Sequence, residues 1–307
     1  MKINKRLNLH SIKFVTTIQY LTMMKKYFKS PFRAVEDAER GASKPSPFTI
    51  FMATEKKTKY VKEEYETKYE GTKPILVACT DEALMEMANK TKFDTGNHPI
   101  EMYGPLLYFR DAGFTFEFAT ISGGPVELEM WAFPEKDENV KQIHKELEEK
   151  REHPKKLSDI ANLDDYAALF IPGGHGCMIN LPKSKDLGRL LHVAHERGLP
   201  TVTLCHGPAT LLSTALEKDF AYDGYEIMCF TDKTDDMTPS IGYLPGKMPW
   251  KCQEELEKKG IKVLNKTEKG EVHQDRELIT GDSPKAAINL GKFAAPILVK
   301  YAIDNNF

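Results

Sequence analysis

From residue 74 onward, short β-rich apolar runs alternate with longer stretches whose apolar positions recur every three to four residues. The runs Pro74–Cys79, Thr115–Ala119, Tyr166–Ile171, Thr201–Leu204, Glu226–Phe230 and Ile261–Leu264 are predicted strands. Ala167-Ala168-Leu169-Phe170-Ile171 has no polar face, which suits a strand covered on both sides. Lys185–Arg197 sets Leu187, Leu190, Leu191 and Ala194 along one side of a helix and stops at Gly198. A second helix, Gln253–Lys259, stops at Gly260. Asp282-Ser283-Pro284 predicts an N-cap and first-turn proline for a last helix running to about Ile303, kinked at Pro296. The alternation predicts an α/β fold, a parallel sheet covered by helices.

Two segments break the rhythm. Residues 121–160 hold a charged helix, Asp137–Arg151, between Pro134 and Pro154, and residues 45–72 lack a strand-and-helix period. Both are read as a smaller cap or dimer region on one domain spanning 45–307. Before it, residues 1–44 form a basic extension expected to be poorly ordered. Met1 to Pro31 carries seven Lys/Arg and no acid, with apolar Leu9, Ile12, Val15, Ile18 and Leu21. Phe14–Met24, its longest charge-free piece, is too short to span a bilayer, and no small-residue cleavage site follows. It reads as an organelle presequence or as an upstream extension before a start at Met23, Met24 or Met52.

Composition narrows the class. The 307 residues carry 43 Lys+Arg against 45 Asp+Glu and are 41% hydrophobic, so a real core can form and no electrostatic drive toward nucleic acid exists. Five cysteines (Cys79, Cys177, Cys205, Cys229 and Cys252) show no short repeated spacing. That argues against a disulfide scaffold or a zinc site and for a reducing, cytoplasmic location.

In an open α/β sheet the reactive loops leave the carboxyl ends of the strands, and four segments fall there. Thr95-Gly96-Asn97-His98-Pro99-Ile100-Glu101 follows the first strand and puts Glu101 in a helix's first turn, where it could also serve only the helix dipole. Pro172-Gly173-Gly174-His175-Gly176 turns sharply enough to aim backbone N–H groups at an anion. Thr201–Leu204 runs into Cys205-His206-Gly207-Pro208 and then a helix, the cysteine counterpart of a nucleophile elbow. A thiol at a helix N-terminus beside an imidazole is expected to ionise readily. Thr231–Asp236 offers Asp232, Asp235 and Asp236 as partners for His206, and spacing does not choose among them.

Together these segments resemble the ThiJ/PfpI superfamily, in particular the HchA-type glyoxalase III and chaperone branch. Glu129-Met130-Trp131-Ala132, Ser240–Gly246 and Leu278–Pro284 are similar to that branch too. The resemblance covers about residues 45–305 and implies a flavodoxin-like sheet sandwiched by helices. It further implies glutathione-independent conversion of methylglyoxal to lactate through a Cys205 hemithioacetal, with possible deglycase activity. Cys205 would be the nucleophile, His206 its partner, Glu101 the acid/base and Asp235 the orienting acid. Backbone N–H groups of Gly174 and His206, beside Gly173, would bind the oxyanion. The implied partners are a small 2-oxoaldehyde, unfolded or glycated proteins and a second copy of the chain as a homodimer, with no membrane and no cofactor. At the family's metal positions stand Arg110, Thr115 and Leu147, and His144 nearby would stand alone, so no metal is expected. A holdase using Trp131 and Phe133 is an alternative, and a cysteine peptidase or amidase a less favoured one. A glutamine amidotransferase lacks its His-x-Glu, since His273 is followed by Gln274-Asp275.

Overall fold

The computed structural model describes residues 32–307, so the presequence question lies outside the described residues. Seven strands form the central sheet: β1 (Ile75–Ala78), β2 (Phe116–Thr120), β3 (Lys155–Lys156), β4 (Ala168–Ile171), β5 (Thr201–Leu204), β6 (Val272–Asp275) and β7 (Leu278–Gly281). Their order is β6-β7-β5-β4-β1-β2-β3, with every neighbouring pair parallel except the β6–β7 hairpin.

Side chains leave a strand alternately to its two faces, and the two halves of the core follow that period. Ile75, Val77, Phe116, Phe118, Phe170, Val202 and Ile279 point to one face, against helices α1 (Pro99–Asp111) and α3 (Ala287–Asp304). Leu76, Ala78, Leu169, Ile171 and Leu278 point to the other, against helix α2 (Lys185–Arg197), Tyr222, Tyr225 and Leu256. The α1–α3 pair is close because its contact residues are small: a Cβ on Gly291 would lie 2.7 Å from Pro105 Cα, and one on Gly104 3.1 Å from Ala287 Cβ. By composition alone α3 could cross a bilayer, yet half of that stretch is buried in this contact.

Several sequence expectations need correcting. Glu226–Ile227 and Lys262–Val263 pair with each other, apart from the main sheet. That edge of the main sheet belongs to the β6–β7 hairpin. Side chains hold the 226–228 segment beside that hairpin, Asp275 Oδ2 accepting from Glu226 N at 2.8 Å and Thr280 Oγ1 from Met228 N at 2.9 Å. The extension expected over residues 1–44 is folded at its end: Val35–Asp37 pairs with Ala42–Lys44, and Ser43 with Phe93. The charged helix is two pieces, Glu138–Glu146 and Glu148–Glu152, and Asp137 caps the first by accepting from Asn139 N and Val140 N. Ser283 caps nothing. Asp282, completely buried, instead accepts from the backbone N–H groups of Lys269, Gly270 and Glu271 and from Ser283 Oγ.

Candidate active site

At the carboxyl edge of the sheet, β5 ends in Cys205, which adopts φ +58°. A side chain there is strained, and both of its backbone groups are pinned. Its N–H donates to Gly281 O and its carbonyl accepts from Phe230 N, each at 2.9 Å. The strand therefore stops abruptly and the thiol is lifted off the sheet. The helix that follows, Gly207–Leu216, is a 3₁₀-helix, not the expected α-helix. Thr210, Ser213 and Thr214 each donate a hydroxyl proton to the carbonyl three residues earlier.

Cys205 Sγ lies 3.4 Å from His206 Nδ1, and His206 Nε2 lies 2.8 Å from Asp235 Oδ2. Of the three candidate aspartates, only Asp235 is there. Asp232 accepts from Gln253 N and Glu254 N, and Asp236 pairs with Lys251 on the surface. Burial alone would raise the Asp235 carboxyl, but the imidazoles of His206 and His175 outweigh it and hold the group well below its ordinary value. An ionised Asp235 only accepts, so His206 Nε2 carries the proton and Nδ1 presents a lone pair to the thiol.

Glu101 sits in the first turn of α1, completely buried, and neither carboxylate oxygen has a hydrogen-bond partner among the described residues. That is far from a solvated dipole partner. The loop leading to it is locked by Asn97, whose Nδ2 donates to Thr80 O at 3.0 Å and Glu127 O at 2.7 Å while Oδ1 accepts from Thr80 N. His98 N donates to Gly173 O, tying this loop to the glycine turn. A Cβ on Gly173 would meet Glu101 Oε2 at 2.0 Å and Cys205 Cβ at 2.8 Å, so carboxylate and thiol carbon both crowd this glycine and leave no room for a methyl group. Gly174, at φ +110°, and His206 have backbone N–H groups with no acceptor among the described residues.

Burial pushes the Glu101 carboxyl well above its ordinary range, an effect that Cys205 beside it tempers and Glu129 adds to. The proximity is not a formed hydrogen bond, since both Glu101 oxygens stay unpartnered. Burial likewise pushes the Cys205 thiol up, and Glu101 adds to the rise. The expectation of a freely ionised sulfur is thus reversed: desolvation outweighs the helix end and the imidazole. The pair holds its proton until something enters.

Sequence reasoning missed a second layer. His175, given no role in its glycine turn, lies on His206 at 4.2 Å between ring centroids, with Nε2 3.2 Å from Asp235 Oδ1. Glu129 lies beyond it, Oε1 4.0 Å from His175 Nδ1 and bonded to Thr95 Oγ1 at 2.7 Å. His98 is held neutral, its imidazole pushed down to about 3 by burial. Glu129 directly follows the isolated Asn97–Leu128 bridge, and its family-like run gave it no role; only the fold brings it here.

His98, Glu101, Glu129, His175, Cys205 and His206 line a cavity of about 350 Å³, joined by Met52 and Ala53 from the end of the first helix, Pro47–Ala53, and by Thr54 and Glu55 just after it. His175, His206 and Asp235 are also the one cluster among the described residues that could converge on a metal ion. The nitrogens facing Asp235 are hydrogen-bonded to it, His206 Nε2 at 2.8 Å and His175 Nε2 at 3.2 Å. At the family's metal positions, Arg110 pairs with Glu146 at 2.7 Å and Leu147 is buried in the core. His144, expected to be solvated, is half-buried and bonded through Nδ1 to Tyr103 Oη at 2.8 Å.

Comparison with known proteins points the same way. Residues 93–228 match the model of the DJ-1/PfpI family. The chain is 46% identical over 274 residues to the protein/nucleic acid deglycase HchA of Pseudomonas aeruginosa, covering 86% of this chain and 94% of that one. Against the Escherichia coli protein of the same name, identity is 42% over 279 residues, covering 89% and 98%. The crystal structure of glyoxalase III from Candida albicans superposes with a TM-score of 0.60 at 22% identity over 73% of this chain and 96% of the other, a likeness of fold.

Proposed function

The chain belongs to the DJ-1/PfpI family, and on that premise we propose that its cavity carries out glutathione-independent chemistry on 2-oxoaldehydes and their adducts, with Cys205 as nucleophile and Glu101 as acid/base. The observation that carries the reading is the bare, buried Glu101 carboxylate crowding Gly173 together with Cys205. A structural carboxylate is satisfied by donors; one left without them awaits a proton from something that enters.

The chemistry follows in steps. The sulfur bonds to the aldehyde carbon of methylglyoxal, and the thiol proton, passed by way of His206 Nδ1, ends on the aldehyde oxygen. The transient oxyanion lies where the Gly174 and His206 N–H groups can stabilise it. Glu101 acts from its ionised form, and the proton affinity that burial gives it suits it to take a carbon-bound proton. It takes the C1 proton to give the enediol and returns it to C2. Water then cleaves the thioester, releasing lactate and restoring the thiol. With a hemiaminal, the same carbon–sulfur bond forms as the carbon–nitrogen bond breaks and the amine leaves with the thiol proton, a route to the deglycation for which the relatives are named.

The test is incubation with methylglyoxal and no glutathione, followed by chiral lactate assay. Lactate from the unaltered protein and none from Cys205→Ala or Glu101→Gln is expected; full activity in either variant refutes the assignment.

A holdase role has its own observation. Trp131 and Phe133 are partly buried, Trp131 Nε1 donating to Asp94 O. Phe51 and Met52, near the end of the first helix, are 68% and 66% exposed and could bind unfolded chains. Aggregation suppression that survives Cys205→Ala and falls in Phe51→Ser would support that role.

A further inference from the structure

Two buried titratable side chains face the cavity and have no part in the steps above. Glu129 is completely buried, and its Oε1 is committed to the Thr95 hydroxyl. Its Oε2 has no partner among the described residues, although the residue lines the cavity. His175 joins Glu129 to the catalytic imidazole, one ring nitrogen toward Glu129 Oε1 and the other on Asp235. The charged and titratable groups around Glu129 are His175, Asp94, Glu101, Tyr243 and the Cys177 thiol. Burial pushes the Glu129 carboxyl up to about 7, and His175 draws it the other way. At neutral pH it can therefore both give and take a proton.

Glu101 moves a proton between carbons, but the conversion also moves protons on and off two oxygens. We propose that Glu129 is a second catalytic acid/base of this site, its unpartnered Oε2 binding the two adjacent oxygens of a 2-oxoaldehyde substrate. As Glu101 takes the C1 proton, the C–H electron pair forms the C1–C2 double bond. The ketone π pair moves onto the C2 oxygen, which takes the Glu129 proton. When Glu101 returns its proton to C2, the C1 hydroxyl proton passes to Glu129 and the thioester carbonyl forms. Both carboxyls finish as they began. The two oxygens of a cis-enediol lie close enough for one carboxyl to serve both. His175 is a positioning residue, bonded to Asp235 through Nε2 and with Nδ1 4.0 Å from Glu129 Oε1.

The inference rests on the 2-oxoaldehyde reading, and one experiment separates them. Lactate formation from methylglyoxal is followed from about pH 5.5 to about pH 9 for the unaltered protein and for Glu129→Gln, with iodoacetamide alkylation of Cys205 measured alongside. The variant is expected to lose roughly 100-fold in kcat and an ionisation near neutrality from the kcat/KM profile, the loss usual for a proton-transfer group. Its alkylation should stay within about threefold, because sulfur attack precedes the Glu129 step. Glu129→Gln with unaltered kcat and pH profile overturns the inference and leaves the reading intact. Unaltered protein that forms no lactate removes both. Should Glu129→Gln fail to fold, Thr95→Val takes over, since it frees Glu129 Oε1 without entering the cavity. A roughly tenfold fall in kcat supports the inference, and no change in kcat or pH profile overturns it.

Discussion

Gly173→Ala tests whether the site is held by close packing at a single atom. The added methyl would lie 2.0 Å from Glu101 Oε2, 2.5 Å from Leu204 O and 2.8 Å from Cys205 Cβ. The carboxylate is the end of a side chain and can swing away, at the expense of its position. Leu204 O and Cys205 Cβ cannot, because Cys205 is fixed by hydrogen bonds on both backbone sides. Overpacking of this kind costs about 3 kcal/mol, the upper part of its usual range, or a fall in Tm of roughly 5–10 °C for a chain this size. Moving a proton-transfer group by about 1 Å lowers kcat roughly 100-fold. Differential scanning calorimetry and the lactate assay read the two effects separately. Gly198→Ala is the control: φ is +62° with nothing within 4 Å of the added methyl, so it should cost only about 1 kcal/mol of backbone strain and leave kcat alone. In a Glu101→Ala background, Gly173→Ala should still destabilise, because two of the three close contacts remain. Full recovery of stability there would show that only the carboxylate is displaced and would refute the backbone argument.

Other outcomes follow from the same geometry. Glu129 takes up a proton more readily folded (about 7) than at its ordinary 4.5, so folding stability falls as pH rises between those values. Glu129→Gln should therefore be about 3 kcal/mol more stable than the unaltered protein above pH 7 and equal to it below about pH 4.5, by denaturant melts; no difference at high pH would refute the burial argument. Asp282→Ala strands three backbone N–H groups and should cost about 3 kcal/mol. It should also raise KM, since Ser283 and Pro284 line the cavity; an unchanged melt would contradict this. Dialysis against a chelator should leave lactate formation unchanged, and stoichiometric zinc or nickel in the dialysed protein would prove the expectation of no metal wrong.

Ile75–Ala78 and Ala168–Ile171 were legible as continuous apolar runs, the other site strands by their β-branched and aromatic residues, and Lys185–Arg197 because its stripe ends at a glycine that takes φ +62°. The β6–β7 hairpin was not: its two-residue turn, Arg276-Glu277, carries no glycine or asparagine, although Arg276 takes φ +55°. The elbow, the glycine turn and Asp235 could be placed because strand ends and the family motifs coincide. The protonation state of Cys205 could not, since desolvation belongs to the assembled cavity and not to neighbours in sequence. Glu129 and His175 stayed without roles for the same reason.

The two ends of the sheet set how copies of this molecule can meet. At one end β3 is two lysines long, too short and too charged to template another strand. At the other, β6 is flanked by the 226–228 segment, held there by Asp275 and Thr280. Neither margin invites a neighbour's backbone to continue the ladder. Self-association by extending the central sheet is therefore disfavoured at both of its margins.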